Sequence, residues 1–215
     1  MLLLLVACVG VAPPERHVLT LRNVSEPGLL AGQDHALAPG LVVVHHPDRV
    51  VFDLGDMVSG TPLEPLVEDG DNAPIVDALS GDPDVYTVVS LAALDLDYHE
   101  APMGPGGSAV VTLDTPADAR ISLLVMLGQS NDVFVATPPG GVDVFPGPVA
   151  LGVFDAGTEV DQEPGVGPDQ AARQAEAGQG EEAGAAVALV QPTDLGGFAW
   201  PAAHEVALAT LEPAP

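Results

Sequence analysis

Lysine is absent from this chain, and five arginines stand against 31 acidic residues, giving a net charge of −26. So little positive charge leaves almost nothing to neutralise phosphates, which excludes nucleic acid as a partner. It equally excludes electrostatic docking on anionic lipid. Solubility, cation binding and tolerance of high salt are what such a charge favours. Cysteine occurs once, at Cys8, so no intrachain disulfide forms. The standard catalytic motifs are missing too. There is no Gly-x-Ser-x-Gly elbow, no His-Glu-x-x-His helix, no phosphate-cradling glycine loop ending in Lys-Ser/Thr, and no cysteine nucleophile beyond Cys8. Paired carboxylates for hydrolysis remain open, because Asp and Glu occur throughout the chain.

What is present is a large apolar fraction, 47%, in short runs of Val, Leu and Ala split by 24 Gly and 22 Pro. A disordered acidic chain lacks that apolar content. Many short runs with frequent turn residues imply an all-β sandwich or barrel, and 215 residues suffice for one substantial domain or two small ones.

The period-two pattern over 16–24 predicts a strand with Leu19 and Leu21 on its apolar face. A β-branched run at 41–46 predicts a buried strand, and 49–54 a further short one. His45 and His46 are metal-ligand types, but adjacent strand residues face opposite ways, which favours structural or surface roles. Over 59–79 the period changes. Leu63, Leu66 and Val67, then Ile75, Val76 and Leu79, recur at helical spacing, predicting two short helices joined by the acidic turn Glu68-Asp-Gly-Asp-Asn72. That turn is a calcium candidate, or equally a set of turn formers and caps. Strands follow at 85–90, 91–98, 108–113, 120–127, 133–136 and 149–154, with a final one at 204–211. The Ala, Gly, Gln and Glu of 171–186 predict a mobile excursion.

The most suggestive stretch is Phe154-Asp-Ala-Gly-Thr-Glu159 with its tail, which places Asp155, Glu159, Asp161 and Glu163 on a glycine-rich loop at a strand end. Such a loop suits a hard cation such as calcium, or it is a solvated acidic turn. Asp132 stands where another strand gives way to the next.

The chain opens Met-Leu-Leu-Leu-Leu-Val-Ala-Cys8. Leu5-Val6-Ala7-Cys8 resembles the bacterial lipobox, whose cysteine is acylated after cleavage. The apolar run is far too short to span a bilayer and lacks the basic residues that begin a signal peptide. An upstream start, and export of the protein, are the corresponding expectations. Residues 1–15 are set apart as a leader and linker.

The order of motifs carries a resemblance. Ala38-Pro-Gly-Leu-Val-Val-Val-His45 is followed by Phe52-Asp-Leu-Gly55, Leu66-Val-Glu-Asp-Gly-Asp-Asn72, the strand at 121–127, Asn131-Asp-Val-Phe-Val135 and Asp155-Ala-Gly-Thr-Glu159. This sequence of motifs resembles the spondin domain, in particular exported bacterial members of that family. Its animal relatives, F-spondin and mindin, are extracellular matrix and adhesion proteins. The resemblance covers 16–211. It implies an antiparallel β-sandwich of the calcium/lipid-binding type with short helices inserted between strands. The domain then occupies 16–212, with a flexible Ala/Gly/Glu-rich excursion at about 161–195. It implies one calcium held by Asp132, Asp155 and Glu159. Glu159 stands where animal members usually have Asp, and Asp161 and Glu163 fall back to solvated positions. The animal disulfides and accessory repeats are missing, so integrin or matrix binding does not transfer.

The resulting expectation is an exported, non-enzymatic, calcium-binding β-sandwich module acting in cell-surface adhesion or ligand binding, with lipid anchoring at Cys8. It lies in the periplasm, at the cell surface or outside the cell, with an envelope or extracellular ligand as partner. The alternatives are a periplasmic hydrolase with a carboxylate site and a structural envelope module without metal.

Overall fold

The computed structural model describes residues 13–91, 103–190 and 197–215. Cys8, most of the leader and nearly all of the strand expected at 91–98 lie outside the described residues.

In chain order the strands begin with β1 (Glu15–Asn23) and β2 (Leu41–His45). Two short helices follow, α1 (Glu64–Asp69) and α2 (Ala73–Ser80), as the change of period predicts. Then come β3 (Val85–Ser90), β4 (Ser108–Thr115), β5 (Arg120–Met126), β6 (Val133–Ala136), β7 (Val142–Asp143), β8 (Gly147–Val149), β9 (Gly152–Asp155) and β10 (Ala188–Leu189). The helical turn α3 (Ala203–Val206) leads into β11 (Ala207–Pro213). No helix among the described residues is long and apolar enough to cross a membrane.

The strands form two antiparallel sheets, consistent with a β-sandwich. One has four strands in the order β4-β1-β11-β8. The other has seven, in the order β10-β9-β6-β5-β2-β3, with β7 beside β5. The smaller sheet alternates clearly. Leu19 and Leu21 of β1, Val111 and Leu113 of β4, and Ala209 and Leu211 of β11 point into the space between the sheets, where they meet Val42, Val44, Ile121, Leu123, Val133 and Val135. The larger sheet has a second covered face. There Leu41, Val43, Leu124, Phe134 and Phe154 pack against Leu63, Leu66 and Val67 of the α1 region and Ile75 and Leu79 of α2. Burial on both faces explains why β2 and β6 are uninterrupted buried runs, whereas β4 alternates between buried and exposed. Phe52, Phe134 and Phe154 form an aromatic trio with ring centroids 5.0 to 5.5 Å apart.

Three expectations change. Residues 49–54 do not join either sheet. Phe52 is nevertheless drawn into the core. The apolar run at 149–154 is not one strand: β8 pairs with β11 in the smaller sheet and β9 with β6 in the larger, so the chain crosses between sheets within it. The strand expected at 204–211 begins as the α3 turn, with the Ala202 N–H donating to Glu205 at 2.8 Å. Part of the segment after β9 hydrogen-bonds back to its own start. Val160 donates to the Glu181 carbonyl at 2.7 Å, Ala183 to Thr158 at 2.9 Å and Ala185 to Gly157 at 2.8 Å. Residues 156–160 and 181–187 thus run back along one another, and β10 adds to the edge of β9.

Candidate metal centre

The end of the larger sheet where β6 begins and β9 finishes gathers the acidic residues. A tight turn starts β6: the Ser130 hydroxyl donates to the Leu127 carbonyl at 2.6 Å and accepts from the Val133 N–H at 3.1 Å. That turn delivers Asp132 to the strand mouth, with its side chain fully buried. Antiparallel pairing sets Val133 opposite Asp155, and the Ala156 N–H donates to the Asp132 carbonyl at 3.2 Å. Gly157 then takes a left-handed conformation with φ 69°. Its position allows the Ala185 backbone to approach within 2.7 Å of where a Cβ would lie, so only glycine fits this corner without strain.

The turn that follows wraps the Asp132 carboxylate. Oδ2 accepts from the Thr158 N–H at 2.8 Å, the Glu159 N–H at 3.0 Å and the Thr158 hydroxyl at 3.2 Å. Oδ1 is buried and has no hydrogen-bond partner. Asp155 accepts the Gly157 N–H at 2.8 Å. One oxygen each from Asp132, Asp155 and Asp161 lies within 4.8 Å of the others. Oxygens sharing a cation at about 2.3–2.6 Å sit about 3–5 Å apart, so these three could hold one metal ion.

The electrostatics agree with that geometry. Burial pushes the Asp155 carboxyl up to about 7, with the nearby Asp132 adding to the effect. Burial also raises Asp132, against the opposing pull of its backbone donors, and raises Asp161. The ion pairs among the described residues, such as Arg16 with Asp114 and Arg49 with Asp82, leave these carboxylates unpaired. Three acids crowded out of water without a counter-charge repel one another, and a divalent cation removes that cost.

The structure therefore brings Asp132 and Asp155 together, as expected. Asp161, expected to be solvated, is half-buried and takes the third place in the cluster. The Glu159 carboxylate turns instead to Asn131, whose side-chain amide donates to it at 3.1 Å. Glu163 is exposed. In the acidic turn after α1, Asp69 and Asp71 accept backbone N–H groups of Gly178 and Ala73 at 3.0 Å each, and Asn72 donates to the Gly40 carbonyl, as turn formers do. His45 is a structural residue, its Nε2 paired with the Ser122 hydroxyl at 2.9 Å. His46 is partly exposed beside Asp48.

One further acid of this neighbourhood comes from the candidate turn Glu68–Asn72. Glu68, the fifth residue of α1, is 7% exposed, and its Oε1 is buried without a partner. It lies close enough to Glu159 and Asp132 for their charges to act on one another. The sequence marks it only as one of several acids in a turn that is a calcium candidate.

No protein-family model matches this chain, and no curated protein matches it in sequence.

Proposed function

We propose that the chain is an exported, non-enzymatic β-sandwich module that binds calcium through Asp132, Asp155 and Asp161 and acts in cell-surface adhesion or ligand binding. One observation carries the metal reading: the unpartnered Oδ1 of the fully buried Asp132. A buried acceptor left empty costs about 1–3 kcal/mol, more for a charged group. One oxygen of this same carboxylate lies within 4.8 Å of oxygens of Asp155 and Asp161. An all-oxygen, carboxylate-rich donor set suits a hard cation, calcium above all, and offers zinc or copper no nitrogen or sulfur. Calcium at this point ties the loop after β9 to the mouth of β6.

The spondin-type identity rests on the two motifs that build this end of the sheet, Asn131-Asp-Val-Phe134 and Asp155-Ala-Gly-Thr-Glu159. Export and acylation rest on the sequence around Cys8. Calorimetric titration of the chelator-stripped protein with calcium tests the metal reading. Wild type gives a binding isotherm and a raised melting temperature, and Asp155→Ala gives neither. Wild type without heat or thermal shift removes the proposal. Mass spectrometry of the mature N terminus tests acylation at Cys8.

A further inference from the structure

The two sheets are not covered alike. Helices α1 and α2 close the outer face of the larger sheet, whereas the outer face of the smaller one stays open to solvent. With Leu19 and Leu21 turned inward, strand alternation turns Val18 and Thr20 of β1 outward, together with Val110 and Thr112 of β4 and Leu208 and Thr210 of β11. Val110 is 57% exposed and Leu208 46%. The register sets Thr20 between Val110 and Thr210, and Val18 beside Thr112. The result is a continuous patch of apolar and hydroxyl side chains. Most of them are β-branched, with χ1 already restricted, so covering them loses little rotamer freedom.

Charge sets this face apart. The chain carries −26, yet the outward positions of these strands balance. Arg16 is paired with Asp114 at 2.9 Å. That leaves one cation, Arg22, and one anion, Glu212, and neither makes an ion pair among the described residues. They stand on opposite sides of Thr20, Arg22 across from Leu208 and Glu212 across from Val18.

A second copy of the chain fits both features. Two molecules of −26 repel wherever acids face acids, and approach at least cost across a face without net charge. A two-fold axis lying in the interface and crossing the strands at Thr20 exchanges the Val18 and Arg22 rows. Arg22 of each copy then lies over the Val18–Glu212 pair of the other, so the opposite charges meet twice. We propose that the outer face of the smaller sheet, centred on Thr20, is a self-association surface that pairs two copies of this chain sheet to sheet, with Arg22 of each meeting Glu212 of the other. None of these residues belongs to the acidic centre. With strands about 4.8 Å apart and about 3.4 Å per residue, the face measures about 15 by 24 Å. That is small for an interface, so the dimer is reversible. Repulsion between the acidic surfaces around it makes the dimer stronger as salt rises.

Sedimentation equilibrium of the whole chain, at up to about 1 mM protein, tests this in about 0.1 M and about 1 M sodium chloride, between which the Debye length falls from about 10 to about 3 Å. Wild type is monomeric at low salt and forms dimers at high salt. Val110→Glu stays monomeric in both. Leu54→Glu adds the same charge at an exposed position two residues past Phe52, on the helix-covered side, and dimerises as wild type does. Arg22→Glu and Glu212→Arg each weaken the dimer at least about tenfold, because like charges then face each other. Mixing these two variants restores it, since every contact regains opposite charges. All four positions are exposed, so circular dichroism of each variant matches wild type. Wild type that stays monomeric at high salt, a dimer that salt weakens, or one that Val110→Glu leaves intact overturns the surface. A wild-type dimer whose mixed charge variants fail to pair overturns the two-fold arrangement, and with it the proposal.

Discussion

The metal-free protein loses stability as pH rises from about 4 to about 8, because its buried carboxyls hold protons that the unfolded chain releases. Asp155 is one such case, moved from its ordinary 3.8 to about 7. The raised value means that the folded state binds the proton more tightly. Below about pH 4 both states are protonated and the stabilisation is fully present. Between about 4 and 7 the unfolded chain ionises while the folded one does not, and stability falls throughout. At about 1.4 kcal/mol per pH unit, this one group is worth about 4 kcal/mol over the whole span. Glu68 and Glu159, each raised to about 7, act in the same direction, but the groups interact and their effects do not add simply. For a chain of this size about 4 kcal/mol corresponds to roughly 10 °C in melting temperature. Thermal melts followed by circular dichroism, in chelator from pH 4 to 8, show this decline, and calcium at pH 8 reverses it. Surface repulsion at a net charge of −26 has the same sign, so Asp155→Asn is the decisive comparison. It has no proton to lose at this position, and its melting temperature falls less steeply. A flat or rising profile in metal-free wild type, or an unchanged slope in Asp155→Asn, refutes the reasoning.

Asp161→Asn weakens calcium binding at the aspartate position by about 10- to 100-fold, whereas Glu159→Gln leaves that affinity within a few fold, because Glu159 faces Asn131. Calorimetry distinguishes them, and the reverse ranking restores Glu159 as the ligand. Phe134→Ala removes the ring shared by two of the three aromatic contacts and costs about 3–5 kcal/mol in urea unfolding. Ser122→Ala leaves His45 Nε2 without its partner and costs about 1–3 kcal/mol by the same measurement.

Much of the architecture was legible in the sequence because short-range rules control it. The alternation at 16–24 became β1 with Leu19 and Leu21 inside, and the helical spacing at 63–67 and 75–79 became α1 and α2. Where the reading failed, distant segments decided. Residues 49–54 have a strand composition but join neither sheet, and Phe52 instead packs in the core. The run at 149–154 divides because one half finds its partner in β11 and the other in β6. The backbone donors at 183–187 find carbonyls at Thr158, Gly157 and Asp56, pairings that the composition of 171–186 does not announce.

The same division holds at the acidic centre. Residue chemistry and strand-end placement offered Asp132 and the four acids Asp155, Glu159, Asp161 and Glu163, and only the family resemblance narrowed them to Asp132, Asp155 and Glu159. Choosing between Glu159 and Asp161 needed the loop's path. The backbone N–H groups of Thr158 and Glu159 bind Asp132, the Glu159 side chain turns to Asn131, and Asp161 comes round to the cluster. Glu68 was marked in the sequence only as part of an acidic turn that is a calcium candidate. Its acidity is written in the sequence, but its burial comes from a helix packing against strands 50 to 90 positions away, and desolvation is a property of that packing alone.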